Sequence, residues 1–219
     1  MSRYGRNIVR MLLFLISIIG VGISASIVLK MSVGLGPWDS LCQSLSFLTK
    51  LEVGTVGIIL NVILIVLQII LYNKDFKIIN LFQVLLSVLL GSVVNFTFYT
   101  LLSALNISNY ILRLIIFVIS ISSIAFCISL IVSLKIVPFP AEGFSLAVSA
   151  IFKLPFHRVR QVLDLIFITI ALSITLIFKF PLIIREGTVI AALILGPLIG
   201  FFTKKQTSFL QRHKIIPKN

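Results

Sequence analysis

The chain has 219 residues, of which 59% are hydrophobic and only 11% charged; a soluble domain carries roughly 45–50% apolar and 25% charged residues. That excess of apolar side chains excludes a water-soluble globule, whose interior at this length is too small to hide it. Nineteen Lys and Arg against six Asp and Glu give a net charge of +13 and a pI near 10.3, but in a membrane protein the distribution of those charges between loops says more than their sum.

The predicted architecture is an all-α membrane protein of about six transmembrane helices, forming one polytopic membrane domain over residues 1–219. The first span covers 9–31. It follows a basic start of Arg3, Arg6 and Arg10 and contains the small residues Ser24-Ala25-Ser26, as a signal peptide would. Its apolar run exceeds the 7–15 residues of a signal core, so it reads as an uncleaved anchor. Gly20, Gly22, Ser24 and Ser26 put small residues on one face, suited to close helix contact. Gly34, Gly36 and Pro37 then end the helix, and a new one starts near Pro37, because proline is at home only in a first turn. A short amphipathic segment at 38–50 leads to spans at 55–73 and 78–102, joined by a tight turn at Lys74-Asp75 and Lys77. A fourth span covers 109–134. Pro140 opens a second short segment at 141–153, followed by spans at 159–178 and 187–203 and a basic tail at 204–219. Gly196 and Gly200 form a Gly-x-x-x-Gly pair in the last span, which predicts a tightly packed face.

Assigning basic residues by loop gives Arg3, Arg6, Arg10, Lys74, Lys77, Lys135, Lys153, Arg158, Arg160, Lys204, Lys205, Arg212, Lys214 and Lys218 on one side, and Lys30, Lys50, Arg113, Lys179 and Arg185 on the other. The positive-inside bias therefore places both termini in the cytoplasm, with the C-terminal tail against anionic lipid headgroups and no role in nucleic-acid binding.

A shift of 103 positions sets Pro37-Trp38-Asp39-Ser40-Leu41 over Pro140-Ala141-Glu142-Gly143-Phe144 and brings Ser46 onto Ser149, Lys50 onto Lys153, Leu51 onto Leu154, Val56 onto Val159 and Asn61 onto Asp164. Each half reads as a long span, a Gly/Pro break, a proline-acid helix start, a short segment ending in Lys-Leu, and two more spans. Three crossings per half is odd, so the second half enters from the opposite side: two inverted-topology repeats, about 9–102 and 109–203. The short helix after each Pro-x-acid motif is expected to be re-entrant or interfacial.

The stretch Gly34-Leu35-Gly36-Pro37-Trp38-Asp39-Ser40-Leu41, with Gly54-Thr55-Val56-Gly57 and Asn61, resembles the YczE-like membrane proteins of bacteria, grouped with the YyaS and YitT proteins. Pro140-Ala141-Glu142-Gly143 and Glu186-Gly187-Thr188-Val189, with Gly196 and Gly200, echo it. The resemblance covers most of the chain. It implies a multi-span protein of the bacterial cytoplasmic membrane, often supposed to be a transporter, and names no substrate.

Four of the six acids, Asp39, Glu142, Asp164 and Glu186, fall at or near span ends or inside spans, where an ionisable group is costly unless paired or facing a watery cavity. Asp39 and Glu142 either cap their short helices or, if those helices dip into the membrane, approach the midplane from opposite faces as a substrate or ion site. Trp38 either lines such a cavity or anchors at the interface. Arg160 and Asp164 are four residues apart and share a helix face, which suits an ion pair; Asn61 is the counterpart of Asp164. Gln68, Gln83 and Asn95 are expected to make interhelical hydrogen bonds. Cys42 and Cys127 lack metal or disulfide spacing. No nucleotide, hydrolase or metalloprotease motif occurs, so the chain is read as a non-enzyme with no cofactor and no metal. The expected function is alternating-access transport of a small solute, coupled to a proton or cation gradient, with Trp38, Asp39, Asn61, Glu142, Arg160 and Asp164 as site candidates. The rival expectations are a non-transporting membrane scaffold or accessory protein of a biosynthetic or regulatory complex and a substrate-binding subunit that borrows an ATPase; the partners expected besides lipid and the solute are a second copy of the chain, as a homo-oligomer, or an accessory subunit.

Overall fold

The computed structural model describes residues 3–73 and 76–216. Of the charged residues assigned above, Lys74, Asp75, Lys218 and the side chain of Arg3 lie outside what is described. The described residues form α1 (Arg3–Met31), α2 (Pro37–Thr49), α3 (Val53–Tyr72), α4 (Phe82–Asn95), α5 (Tyr110–Leu134), α6 (Pro140–Phe152), α7 (Phe156–Ile177) and α8 (Glu186–Arg212). A 3-10 turn, Ile78–Leu81, precedes α4, and a π turn, Phe96–Leu101, extends it. Six stretches are long and apolar enough to cross a bilayer, and each coincides with a predicted span to within a few residues, apart from the ends of the first and last. At about 1.5 Å per residue even the 20-residue α3 reaches about 30 Å, the thickness of the hydrocarbon core.

The packing follows from small residues and polar pairs rather than from apolar burial, since lipid is as apolar as a leucine core. Helix α1 runs antiparallel to α5: Arg10 Nη2 donates to Leu134 O (2.8 Å) at one end, and Arg113 Nε donates to Met31 O (2.7 Å) at the other. The small face of α1 is the contact face, as predicted. Gly20 backs onto Cys127, Gly22 onto Val93, Ser24 Oγ donates to Ser123 Oγ (2.9 Å), and Ser26 Oγ to Val94 O (3.2 Å). Helices α3 and α4 are antiparallel and close enough that a Cβ on Gly54 would collide with the Gly91 carbonyl and with Asn95. Gly54 N donates to Asn95 Oδ1 (2.7 Å), and Asn95 Nδ2 to Thr55 Oγ1 (2.9 Å). Helix α8 runs parallel to α5, with Ser129 Oγ donating to Gln206 Oε1 (2.7 Å) and Phe126 edge-on to Phe202. Both described ends of the chain, with Arg6, Arg10, Lys135, Arg212 and Lys214, therefore lie at one end of the bundle, hereafter the near end; Lys30, Arg113 and Arg185 lie at the far end.

Two expectations are corrected. The last span does not stop at 203. Lys204 and Lys205 sit on the exposed face of α8, while Gln206, Thr207 and the fully buried Leu210 continue the seam on α5, so the helix runs through Pro197 to Arg212, and Ile216 beyond it is still buried against the bundle. The Gly196/Gly200 pair is not a packed face: both glycines are exposed and a Cβ on either would meet nothing within 4 Å. Of the two alternatives open for Trp38, the inward one matches its placement, edge-on to Phe167 with ring centroids 5.4 Å apart.

Candidate functional site

The two short helices are built alike. Each has proline at its first position, where the missing N–H costs nothing. Each is preceded by an extended residue, Gly36 or Phe139, whose carbonyl accepts the first helical bond, from Ser40 N and Gly143 N respectively (both 2.8 Å). Each ends on a lysine in the left-handed conformation, Lys50 at φ 60° and Lys153 at φ 53°. In each a serine one turn earlier, Ser46 or Ser149, donates its hydroxyl to the carbonyl five residues on, that of Leu51 or Leu154, at 2.6 Å. The predicted Lys-Leu endings are thus helix stops with a defined hydrogen-bond pattern.

Neither short helix packs mainly on its neighbours in sequence. Helix α2 lies against α7 as well as α3, and α6 lies against α3 as well as α7. Their first turns meet in one buried apolar cluster, in which Leu41 and Ala141 join Leu64, Leu163 and Phe167, flanked by Trp38 and Phe144. The start of α6 is fastened to α3 and α4 by a polar clasp: Gln68 Nε2 donates to Gln83 Oε1 (3.0 Å) and to Pro140 O (3.1 Å), and Gln83 Nε2 returns a bond to Gln68 Oε1 (3.3 Å). The in-span glutamines, expected to join helices, also set where α6 begins.

Between the two starts lies a cavity of about 210 Å³. Trp38, Asp39, Asn61, Glu142 and Arg160 line it, so five of the six predicted site residues come together; Asp164 stands behind Arg160 and does not reach the wall. The acids differ in environment. Arg160 spans α6 and α7, with Nη1 3.5 Å from Glu142 Oε1 and Nη2 3.1 Å from Asp164 Oδ1. The pair with Asp164 is the predicted one; the bridge to Glu142 was not visible in the sequence, because it crosses between helices. Both contacts lack hydrogen-bond alignment at Arg160 Nη1 and Asp164 Oδ1, so they are held by charge more than by direction. Asp39 has no ion-pair partner among the described residues, and the residue before its helix contributes no side-chain cap. Asn61, only 6% exposed, has no hydrogen-bond partner among them either.

The sequence reading missed the rest of the wall. Cys42, one turn beyond Asp39 and on the same face, is buried and lines the cavity, and the apolar side is supplied by α1, α4, α5 and α8 through residues such as Ala25, Val94, Ile121 and Leu195. The spacing of three residues from Asp39 could have flagged Cys42; nothing local could have flagged the apolar wall. Glu186, the fourth acid near a span end, is elsewhere. It accepts a hydrogen bond from the Tyr110 hydroxyl at the far end, beside a latch in which Arg113 and Arg185 both donate to Ser32 O (3.1 Å each), and Leu35 N donates to Thr188 Oγ1 (3.1 Å). Among the described residues no three His, Cys, Asp or Glu side chains gather as a metal site requires.

Comparison with known proteins returns no curated protein and no solved structure that matches. A family model does match, over residues 8–204, and its extent covers every helix that builds the cavity. The chain therefore belongs to the family described as "Family of unknown function (DUF6198)".

Proposed function

We propose that this protein is a bacterial cytoplasmic-membrane transporter that moves a small solute by alternating access, driven by a proton or cation gradient, with the cavity between α2 and α6 as its substrate site. The observation that carries the reading is the convergence of Asp39 and Glu142, each in the first turn of a proline-started short helix, on one cavity inside a bundle of six long helices. Ionisable groups in such a place are expensive and are kept where they meet substrate or coupling ions.

The packing supports two inverted repeats, α1 to α4 and α5 to α8. If each helix is paired with its counterpart 103 residues on, α2 against α7 corresponds to α6 against α3, and α1 against α4 to α5 against α8, whereas the close packing of α3 on α4 has no equivalent between α7 and α8. The left-handed residues follow the same pairing, Ser32 with Lys135 and Lys50 with Lys153. In this reading α2 and α6 are re-entrant helices that enter from opposite faces, and each half lends its short helix to the other, so that rocking of the halves opens the cavity to one side at a time. The concentration of Lys and Arg at the near end favours a cytoplasmic location for it and so for both termini, in accord with the resemblance to YczE-like proteins.

The test is transport itself. Reconstituted protein on a solid-supported membrane is expected to give currents with some members of a panel of small solutes applied under a proton or sodium gradient. Asp39→Asn and Glu142→Gln are expected to reduce those currents and the double variant to abolish them. Unchanged currents in a properly inserted double variant would overturn the proposal.

A further inference from the structure

We infer that the cavity recognises a small organic cation bearing N–H donors, a protonated amine, whose charge pairs with Asp39 and whose donors are completed by Asn61. The inference rests on the reading of this cavity as the substrate site and adds the chemistry of the solute.

Sign comes first. The charged groups that approach the cavity are three carboxylates, Asp39, Glu142 and Asp164, and one guanidinium, Arg160. Arg160 is already engaged by Glu142 and Asp164, and Asp39 faces the cavity with no cation of the protein within salt-bridge range among the described residues. An anion entering here meets excess negative charge in a weakly screening interior, and a cation meets an unanswered carboxylate.

A second and independent observation points to a ligand. Asn61 is 94% buried by its 6% exposure, lines the cavity, and neither its carbonyl nor its amide group finds a partner among the described residues. Its amide atoms are not sealed in protein but open on the cavity, where a ligand can meet both the carbonyl and the amide N–H groups. The amide is left for whatever occupies the cavity.

Size and wall composition separate an organic cation from a bare ion. A dehydrated Ca²⁺ or Mg²⁺ ion needs about six or more oxygen ligands, whereas the side-chain oxygens on this wall are those of Asp39, Asn61, Glu142 and Ser87, the last of which already donates to Gln83 O (2.7 Å), and the other charged lining group, Arg160, offers no oxygen. The remainder is aliphatic, including Ala25, Val94, Ile121 and Ile124. A polar corner in an apolar wall fits a ligand with a charged head and a hydrocarbon body. At about 210 Å³ the cavity is below the roughly 300–1,000 Å³ of drug-sized pockets, so the body is small.

The experiment uses the full chain in lipid nanodiscs and tritiated phenethylammonium as the probe, displaced by butylammonium, guanidinium, neutral 2-phenylethanol, anionic 3-phenylpropionate or sodium. Saturable binding is expected, displaced by the two organic cations and not by the neutral or anionic analogues. Asp39→Asn is expected to weaken it about tenfold or more, the loss of a charge-assisted hydrogen bond. Asn61→Asp, which sets a second carboxylate on the same wall, is expected to tighten it, and so provides a readout that poor folding of the first variant does not mimic. Absence of saturable binding by all three cations, equal displacement by 2-phenylethanol, displacement by sodium at equal concentration, or indifference to both variants would each overturn the inference. Amine binding without any amine-driven current would sink the transport reading and leave the inference; currents driven by other solutes without amine binding would do the reverse.

Discussion

Gly143→Ala places a methyl group where the glutamine clasp now closes. The new Cβ would lie 2.6 Å from Gln68 Oε1, 2.9 Å from Gln83 Nε2 and 3.1 Å from Gln68 Cδ. The two side chains are tied to each other and to Pro140 O by three hydrogen bonds of 3.0–3.3 Å, so neither can retreat without breaking bonds that no water replaces. Losing two of them at about 0.5–1.5 kcal/mol each, with buried groups left unmet, costs about 2–3 kcal/mol; alanine returns about 1 kcal/mol of helix propensity over glycine. The net is about 1–2 kcal/mol, or a fall of about 2–8 °C in midpoint at 2–4 °C per kcal/mol for a chain of this size. Thermal unfolding in detergent, followed with a thiol-reactive dye on Cys42 and Cys127, measures it. In a Gln68→Ala background two of those three close contacts, including the 2.6 Å one, are gone, and the substitution is expected to cost markedly less, a coupling of about 1 kcal/mol. A Gly143→Ala midpoint equal to or above that of the parent would refute the clasp as the device that holds α6.

Arg160→Met leaves Glu142 and Asp164 side by side without their cation. Because the Arg160 side chain is 25% exposed, the expected cost is about 1–3 kcal/mol rather than the roughly 3–5 of a fully buried pair, and Glu142→Gln in the same chain should recover part of the midpoint. Gly54→Leu drives a side chain into the α4 backbone at Gly91 and is expected to yield no monodisperse protein on size exclusion, whereas Gly196→Leu, on an open face, should elute and melt like the parent. Thr188→Val removes the hydroxyl that receives Leu35 N and is expected to lower the midpoint by about 1–3 kcal/mol equivalent, since a buried N–H is left unmet.

The spans were legible because composition alone forces them: runs of uncharged apolar residues about as long as a bilayer is thick have one physical solution, and the stretches Val53–Tyr72, Ile78–Leu101 and Tyr110–Leu134 end within about two residues of expectation. The starts of α2 and α6 were legible for a different reason, the incompatibility of Pro37 and Pro140 with anything but a first turn. The end of α8 was not, because Lys204 and Lys205 look like the close of a span to a linear reading, and only three dimensions show that they occupy the face turned away from α5 while Leu210 stays in the seam. The Gly196/Gly200 motif misled for the same reason: it states that a close approach is permitted and not that a neighbour exists. At the cavity, the residue types announced themselves as polar atoms in apolar segments. Their partners did not, since the bridge from Arg160 to Glu142 joins α7 to α6 and the Gln68 bond to Pro140 O joins positions 72 apart in sequence.

The central claim, a cavity beside Asp39 that opens to each side of the membrane in turn, is tested most directly by access to Cys42. This native thiol is buried, lines the cavity and lies one turn from Asp39. In a Cys127→Ala background, a membrane-impermeant cationic thiosulfonate applied to right-side-out and to inside-out vesicles is expected to modify Cys42 from both sides, faster than an anionic thiosulfonate and more slowly when phenethylammonium occupies the site. Protection from both sides, or modification from one side alone whatever solute and gradient are imposed, would contradict it.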